Sequence, residues 1–461
     1  MKRQFLIGIF VMMLSCLQIV CGQAKYVFYF IGDGMGINQV NITEVYLSSL
    51  KGERGAASLL MTRFPVASMA STFAENNDVT DSAAAGTALA TGKKTNNGYI
   101  GVNSNYEPLE TIAEKAKKAG KKVGIATTVQ INHATPASFF AHQRDRNMYY
   151  EISRDLIISG FDFFAGGGFN NRDKLYDNTD APDIFPLIDQ AGYYMAKGYD
   201  DFKANAGNFK KTVLVHKNWE IPDGIPYAID RTSEDLSLKQ ITEAAIEVLT
   251  KDNNKGFFLM LEGGRIDWSG HANDAATTIM EVIDMDEAVQ VAYEFYKKHP
   301  KETLIVITAD HETGGLTAGK GNMRIDVLRH QKMSFEKLTE RIKALSESKS
   351  ETVSWEEMKN LLTETLGFWK EIPINWENEK ALRDAYELTF ASRREMIARN
   401  YSAISTKAKQ IMNDMAMLGW STGGHSADFV PVFAIGVGQE LFNAKMDNTE
   451  IPQKIIKAAK Y

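Results

Sequence analysis

The stretch Phe257-Phe-Leu-Met-Leu-Glu-Gly-Gly-Arg-Ile-Asp-Trp-Ser-Gly-His271 is the most informative part of this sequence. It opens with five consecutive apolar residues (257–261), a run typical of a strand that is buried on both faces. Two glycines follow, and then Asp267 and His271, which stand four residues apart and would share one face of a helical turn. A carboxylate and an imidazole at this spacing suit zinc. The stretch therefore predicts a buried strand with metal-binding side chains beyond its carboxyl end.

Runs of the same apolar kind recur along the chain, at residues 26–31, 122–127, 304–308 and 432–437. Segments with apolar residues at helical spacing lie between them, as at 109–119 and 235–249. This alternation predicts an α/β fold, a three-layer αβα sandwich around a large, mostly parallel sheet. In such sheets the ligand crevice lies beyond the carboxyl ends of the strands.

The composition excludes several classes of protein. The chain has 461 residues, of which 44% are hydrophobic and 24% charged. These values are typical of a globular enzyme and exclude a disordered, collagen-like or coiled-coil chain. The formal net charge of −6 argues against nucleic acid as a specific partner, because such proteins carry a basic surface.

The N-terminus has the pattern of an export signal. Lys2 and Arg3 precede an apolar run (5–14) that is too short for a confident membrane span. We interpret residues 1–22 as a signal peptide and 23–461 as the mature domain, periplasmic or secreted and without a transmembrane span. A lipoprotein anchored through Cys16 is the weaker alternative, because Met13 stands where that motif usually has a branched aliphatic residue.

Both cysteines, Cys16 and Cys21, belong to this N-terminal segment. Cleavage after Gly22 would leave a mature protein without thiols. Disulfides, cysteine metal sites and a thiol nucleophile are then excluded, so any metal must be held by oxygen and nitrogen ligands.

Residues 323–417 differ from the rest of the chain in sequence pattern, because strand patterns stop and charged, helix-forming residues dominate. Ser354 and Glu357 form a capping box, and Gly367 is a helix stop. We predict a helical insertion here and interpret it as a cap or dimerisation element rather than a second catalytic domain.

Further polar residues follow other predicted strands. Asp33 stands between glycines after the first strand, Asp310 and His311 follow the strand 304–308, and His425 precedes the strand 432–437. Each alone is explained equally well as a turn residue or a structural histidine. Together with Asp267 and His271 they favour a metal centre. We interpret the other mature-chain histidines in polar contexts as structural or surface residues, namely His142, His216, His299 and His330.

Ser82 is the candidate nucleophile, in Val79-Thr-Asp-Ser-Ala-Ala-Ala-Gly-Thr-Ala88. Small helix-forming residues follow it, so its hydroxyl would lie at a helix N-terminus that favours an anion. The alternative is that Asp81 or Ser82 is only an N-cap. With no histidine base beside it in the sequence, Ser82 would need a metal to lower its pKa.

These motifs together resemble those of the alkaline phosphatase family, in the family's order. The resemblance rests on Ile-Gly-Asp33-Gly-Met, Val-Thr-Asp81-Ser82-Ala-Ala, His133-Ala-Thr135-Pro-Ala, Glu262 through His271, Thr-Ala-Asp310-His311 and Gly-Gly-His425. It covers the mature chain except the helical insertion. It implies hydrolysis of phosphate monoesters through a phosphoserine intermediate, with inorganic phosphate as the product.

The resemblance also implies two Zn²⁺ and one Mg²⁺ per chain. The first zinc site would be Asp267, His271 and His425. The second would be Asp33, Asp310 and His311, with Ser82 as a further ligand. The magnesium site would be Asp33, Thr135 and Glu262. The donor types fit, since zinc accepts nitrogen and carboxylate and magnesium prefers oxygen.

Arg146 would bind two phosphate oxygens with its guanidinium fork, while Arg144 would lie on the surface. Some bacterial members have Asp and Lys where this chain has His133 and Trp268, which puts metal preference at the third site and phosphate handling in question. The family usually forms homodimers. A phosphodiesterase or sulfatase of the same superfamily and a catalytically silent metal-stabilised binding protein are the alternatives, and the missing cysteine argues against a sulfatase.

Overall fold

The computed structural model describes residues 22–220, 224–319, 323–390 and 400–461. Residues 1–21 of the predicted signal peptide, with both cysteines, lie outside the described residues. Within the described ranges, every helix is too short or too polar to cross a membrane.

The strands follow one another as β1 Tyr26–Ile31, β2 Val66–Ser71, β3 Lys122–Thr127, β4 Phe163–Gly166, β5 Tyr193–Lys197, β6 Lys211–Val215, β7 Phe257–Glu262, β8 Thr303–Thr308, β9 Glu312–Thr313, β10 Leu316–Ala318, β11 Leu418–Trp420, β12 His425–Ser426, β13 Val430–Gly436 and β14 Met446–Asp447. Ten of them form one sheet in the order β14-β2-β13-β8-β1-β7-β3-β4-β6-β5. All pairs in this sheet are parallel except those that β13 makes with β2 and β8.

The helices are α1 Ile37–Leu50, α2 Ser82–Thr91, α3 Ile112–Lys118, α4 Ala134–Ala137, α5 Tyr149–Ser159, α6 Ile184–Gln190, α7 Tyr199–Asn205, α8 Leu238–Thr250, α9 Arg265–His271, α10 Ala275–Lys298, α11 Phe335–Glu347, α12 Trp355–Leu366, α13 Trp376–Phe390, α14 Ser402–Ala416 and α15 Glu450–Ala459. α1 and α8 pack against α10, while α4 and α15 pack against α2.

The three central strands are buried at every position, so the sheet is covered on both faces. Continuous apolar runs with aromatic and β-branched residues favour this double burial, because each alternate side chain needs an apolar neighbour. The α/β sandwich with a mostly parallel sheet is therefore confirmed. The five predicted strands correspond to β1, β3, β7, β8 and β13, with ends that differ by no more than two residues.

The helical insertion leaves the core between β10 and β11, which pair antiparallel, with Leu316 opposite Trp420. Its described residues form a 3₁₀ turn (Ile325–His330) and helices α11 to α14. Their apolar faces form a second hydrophobic cluster, which also takes in Ile42 of α1 and Ile279 of α10. The insertion is thus packed onto two helices of the core.

Candidate active site

Three carboxylates converge at the carboxyl ends of the central strands. β1 lies between β7 and β8, with Ile31 opposite both Glu262 and Thr308. Asp33 follows β1 by two residues, and Asp310 follows β8 by two residues, so parallel pairing brings both beside Glu262. All three side chains are fully buried.

Asp33, Asp310 and His311 form what we call the inner cluster. The Nε2 atom of His311 lies 3.4 Å from Asp33 Oδ1 and 3.4 Å from Asp310 Oδ2. The side chains offer ligand atoms that lie within 4.8 Å of one another, as ligands of one ion do.

Asp267, His271 and His425 form the outer cluster. Asp267 Oδ1 lies 3.3 Å from His271 Nε2 and 3.6 Å from His425 Nε2. The two Nε2 atoms are 3.2 Å apart. Asp267 also groups with His311 and His425 within 4.8 Å, so the two clusters adjoin.

The surroundings of the three histidines favour a proton on Nδ1, with Nε2 turned toward the cluster. Nδ1 of His271 is 2.7 Å from the Gly423 carbonyl oxygen, and Nδ1 of His425 is 2.8 Å from the Thr80 carbonyl oxygen. A carbonyl only accepts, so each Nδ1 carries a proton. The hydrogen bond to Asp267 raises the pKa of His271 to about 9, so its Nε2 carries a proton at neutral pH that a bound cation would displace. Burial lowers the pKa of His425 to about 4, so the Nε2 of His425 keeps its lone pair.

Several buried oxygens at the centre have no hydrogen-bond partner within the described residues: Asp33 Oδ1 and Oδ2, Asp310 Oδ2, Glu262 Oε1 and Thr135 Oγ1. A buried polar atom without a partner is costly, and a buried carboxylate more so. Carboxylate, hydroxyl and imidazole atoms that converge in this way fit bound divalent cations.

The pKa values of the carboxyl groups reflect their burial and their closeness to one another. Burial, with repulsion from Asp310 and Asp267, raises the pKa of Asp33 well above its ordinary value. Burial likewise raises the pKa of Glu262 to about 8 and that of Asp310 to about 6. Burial lowers the pKa of His311 to about 4 and keeps the imidazole neutral. In the outer cluster, against the effect of burial, the hydrogen bond with His271 lowers the pKa of Asp267 below its ordinary value and raises that of His271 to about 9. Carboxylates that resist ionisation beside a neutral imidazole, as in the inner cluster, are expected where side chains converge to bind cations.

Ser82 is the first residue of α2, and its side chain is buried against the inner cluster. Its Oγ lies 3.3 Å from His311 Nε2. Asp81 is the N-cap of this helix, since one of its oxygens accepts from the Ala84 N–H. Both alternatives for this motif therefore hold in part: Asp81 caps the helix, and Ser82 faces the candidate metal ligands.

Arg146 lies beside the N-cap of the same helix. Its Nη1 donates to Asp81 Oδ2 at 3.0 Å, and that oxygen also accepts from the Gly98 N–H. Its Nη2 lies 3.5 Å from His133 Nε2. Arg144, two residues earlier, is exposed, as predicted.

His133 and Trp268 face each other with their ring centroids 5.9 Å apart. The guanidinium of Arg265, which is buried, stacks between Trp268 and Tyr227, with centroid distances of 4.5 and 4.4 Å. Sequence reasoning passed over Arg265, although it lies inside the stretch that predicted the metal site. No spacing rule indicates which aromatic rings a buried arginine meets.

Thr313 is a second residue that sequence reasoning missed. Its hydroxyl donates to Asp267 Oδ1 at 2.5 Å and, at 3.2 Å, accepts from Nδ1 of His311. It therefore links the two clusters and leaves Nε2 of His311 as the unprotonated atom. The signal was present, since Thr313 follows His311 by two residues, as alternate positions of a short extended segment do.

Glu312 is the third. This buried carboxylate accepts from Gln39 Nε2 at 2.6 Å, from Ser426 Oγ at 2.5 Å, and from two backbone N–H groups. It thereby holds β9 against β12, the pair that sets Thr313 opposite His425.

Two further histidines have the structural role predicted for them. His142 bonds to the Gly101 carbonyl oxygen and to Glu114, and the buried His216 bonds to Asp235. Neither group of candidate ligands includes them.

Comparison with known proteins identifies the family. A family model described as Alkaline phosphatase matches residues 24–159 and 219–461. Alkaline phosphatase 3 of Bacillus subtilis (strain 168) is 33% identical over 455 residues, which cover 95% of this chain and 90% of that protein. The crystal structure of the cold-active alkaline phosphatase from the psychrophile Shewanella sp. superposes with a TM-score of 0.79 at 29% identity, over 94% of this chain and 99% of that one.

A third relative bears on the metals. A variant of the alkaline phosphatase TAB5, solved with Mg bound in the M3 site, has a TM-score of 0.66 and 29% identity, over 96% of this chain and 99% of that one. The expectation that the resemblance leaves out the helical insertion is wrong, because the family model takes in residues 323–417 and leaves out residues 160–218. The family model accounts for most of the chain, and these relatives match it nearly end to end. This chain belongs to the alkaline phosphatase family.

Proposed function

We propose that this enzyme hydrolyses phosphate monoesters with Ser82 as the nucleophile and a phosphoserine intermediate. The observation that carries the proposal is the position of the Ser82 hydroxyl. It lies at the N-terminus of a ten-residue helix, 3.3 Å from an unprotonated nitrogen of the inner cluster, and Arg146 binds Asp81, the N-cap of the same helix. An anion at this position gains from the helix dipole, the guanidinium and any bound cation.

We assign the ligands as the family resemblance does. Asp267, His271 and His425 would hold one Zn²⁺. Asp33, Asp310 and His311, with Ser82, would hold the second. Asp33, Thr135 and Glu262 would hold Mg²⁺. When bound, these ions would lower the pKa of the serine hydroxyl and offset charge on the phosphoryl oxygens and the leaving group.

Arg146 would bind the phosphoryl group. One of its nitrogens is held by Asp81, which is itself fixed by the Ala84 and Gly98 N–H groups. The guanidinium is therefore oriented before substrate arrives, and its remaining N–H groups can donate to two phosphate oxygens. Such orientation reduces the entropy lost on binding.

The reaction has two displacements. Ser82 Oγ attacks phosphorus, the bond to the ester oxygen breaks, and the leaving group takes up a proton. A water molecule then attacks the phosphoserine, the Oγ–phosphorus bond breaks, and the Ser82 hydroxyl recovers its proton as inorganic phosphate leaves. Neutral His311, with its Nδ1 proton held by Thr313, presents only a lone pair to Ser82 and cannot protonate the attacking oxygen.

A phosphodiesterase is the alternative. A monoester keeps three unesterified oxygens, two for the Arg146 fork and one for the clusters. A diester has only two, and its second ester group would have to fit beside the half-buried His133–Trp268 pair. The fork of Arg146 therefore favours monoesters.

The test compares a chromogenic phosphate monoester with the matching diester, each with and without a chelator. We expect rapid, chelator-sensitive hydrolysis of the monoester, its loss in Ser82→Ala and its retention in Ser348→Ala, a control at an exposed serine of the insertion. Faster cleavage of the diester would favour the phosphodiesterase. No turnover of either substrate, with metals bound, would favour the binding protein.

We also propose that residues 1–22 direct export, that the mature chain starts at Gln23, and that it forms a homodimer. The support is the charged and apolar pattern of the N-terminus and the resemblance to the family. N-terminal sequencing of the protein from its native host and its mass in solution test these points. A start at Met1, or at a lipid-modified Cys16, would contradict the first.

A further inference from the structure

The turn Ala272-Asn273-Asp274 joins α9 to α10 and follows directly on His271, the last residue of α9. Its first N–H groups bond back into α9, from Ala272 to Trp268 and from Asn273 to Gly270. Asn273 has a φ of +52°, a left-handed conformation that asparagine tolerates better than most residues. The Asp274 carbonyl oxygen accepts from Thr278 of α10, whereas those of Ala272 and Asn273 accept from side chains of the helical insertion.

The first end of the insertion binds this turn through Asp274. Gln331 Nε2 donates to Asp274 Oδ1 at 2.8 Å, and the Phe335 N–H donates to Asp274 Oδ2 at 2.9 Å. Asp274 is at the same time the N-cap of α10, since it accepts from the Thr277 N–H. This buried carboxylate therefore joins the insertion to the start of a long core helix.

The second end of the insertion binds the turn through its backbone. Lys409 Nζ, on α14, donates to the Ala272 carbonyl oxygen. Asn413 Nδ2, one helical turn later, donates to the Asn273 carbonyl oxygen at 2.9 Å. Positions 409 and 413 are four apart and share one face of α14, so this face of the helix binds the turn.

His271 is the most exposed of the candidate zinc ligands, and it directly precedes this turn. Its side chain is 40% exposed, whereas that of Asp267 is 6% exposed. Its ring has one hydrogen bond to the backbone, from Nδ1 to the Gly423 carbonyl oxygen. In the described part of the chain, its remaining ring contacts are to Asp267 and His425, the other members of the outer cluster, so contacts that fix the backbone after His271 add to the support of the ring from outside that cluster.

We infer that the helical insertion positions His271 for metal binding, with Lys409 and Asn413 as positioning residues that fix the 272–274 turn. This rests on the proposed assignment of His271 as a ligand of the outer metal. The insertion then supports the metal site, a role additional to that of the cap or dimerisation element predicted from the sequence.

The test measures metal affinity directly, by competition with a chromogenic zinc chelator and by metal content after dialysis against zinc buffers. We expect Lys409→Ala and Asn413→Ala each to weaken the outer zinc about tenfold, the lower end of the effect of outer contacts on ligands. The inner zinc should keep its affinity. With excess zinc the turnover number should return to that of the wild type.

Lys407→Ala is the matched control, because Lys407 lies on the same helix and donates only to Gln410 among the described residues. It should leave both zinc affinities unchanged. Lys409→Arg keeps a donor at this position and should restore most of the lost affinity.

Two results would overturn the inference. One is unchanged outer-zinc affinity in both alanine variants. The other is equal weakening of both zincs together with a lower melting temperature of the metal-saturated protein, which would indicate a general loss of folding. The readout is separate from the proposed function: if the wild type binds two zincs but cleaves no monoester, the proposed function fails, while the affinity comparison still decides the inference.

Discussion

The inner and outer clusters are built from similar side chains but in different surroundings. Asp33, Asp310 and His311 are fully buried, and the two aspartates follow adjacent, paired strands. In the outer cluster His271 is 40% and His425 15% exposed, and the residues come from a seven-residue helix and from the two-residue strand β12. One cluster is a consequence of the large sheet, and the other is assembled from short elements outside it.

This difference in burial predicts that the two clusters differ in the free-energy cost of ionising their carboxyl groups and in the rate at which they exchange metal. The inner cluster crowds carboxylates into an apolar region, where ionisation without a cation is expensive. The outer cluster meets solvent, and its histidines are held by carbonyl oxygens of Gly423 and Thr80. We expect the inner metal to bind tightly and exchange slowly and the outer metal to leave first.

The largest effect should come from Ser82→Ala, which separates chemistry from metal binding. Loss of the attacking oxygen should lower kcat by about 10³-fold or more, as removal of a nucleophile does. The inner metal keeps three protein ligands, so zinc content should stay near that of the wild type. Steady-state kinetics with metal analysis checks this. Loss of both zincs or of the fold would contradict the assignment of Ser82.

The next effect comes from His425→Ala or Asp267→Ala, which should empty the outer cluster alone. Each change removes one of three ligands from an exposed site, so one zinc and at least about 10²-fold in activity should be lost together. Metal analysis at matched free zinc is the measurement. His216→Ala, at a buried histidine that bonds to Asp235 and belongs to neither group of candidate ligands, should keep both zincs. Two tightly bound zincs in either cluster variant would place the outer site elsewhere.

A smaller effect concerns the stability of the metal-free protein. Burial raises the folded-state pKa of Glu262 to about 8 from an ordinary value of 4.5, so the folded protein holds a proton that the unfolded chain releases. The contribution of this proton to the free energy of unfolding is complete below pH 4.5, and it is lost as the pH rises through 8. His311 and His425, with pKa values lowered to about 4, titrate below this upper range.

We therefore expect the melting temperature of chelator-treated protein to fall between pH 6.5 and 8.5. In Glu262→Gln the fall should be shallower, with Asp33 and His271, whose pKa the bond to Asp267 raises to about 9, supplying what remains. Metal-loaded protein should show little slope, because the ions neutralise the same carboxylates. A flat profile for the metal-free wild type would contradict the pKa direction.

The sequence predicted the inner cluster better than the surroundings of the outer one, for a physical reason. Runs such as 26–31 and 304–308 indicate buried parallel strands, and residues just beyond such strands meet at one edge of the sheet. The convergence of Asp33, Asp310 and His311 follows from that rule. His425 and Asp267 were candidates by composition and spacing, but no periodicity fixes the loop that brings them together.

Contacts that depend on tertiary packing lay beyond sequence reasoning. Lys409 meets the Ala272 carbonyl oxygen across 137 positions, and Arg265 stacks on Tyr227, which is distant in the chain, as well as on Trp268, which is three residues away on the same helix. Local patterns carry no information about the two distant pairs. Thr313 was partly predictable. Alternation in an extended segment indicates that its side chain lies on the same side as that of His311, but not that it bonds to both Asp267 and His311.

The smallest effect concerns Trp268 and the release of phosphate. Trp268 has no charge and stacks on the guanidinium of Arg265 at 4.5 Å, so the phosphate site keeps Arg146 as its principal side-chain cation. Product release limits many enzymes, and an added ammonium near bound phosphate should slow it. We expect Trp268→Lys to lower the inhibition constant of inorganic phosphate about fivefold, or about 1 kcal/mol for a partly solvated charge pair. Repulsion from Arg265 makes this an upper value.

Trp268→Phe keeps a ring for the stacking without charge, and its inhibition constant for phosphate should stay near that of the wild type. The measurement is the inhibition constant in the three proteins at matched pH and zinc. An unchanged or higher constant in Trp268→Lys, with its metals still bound, would show that charge at this position does not govern phosphate release.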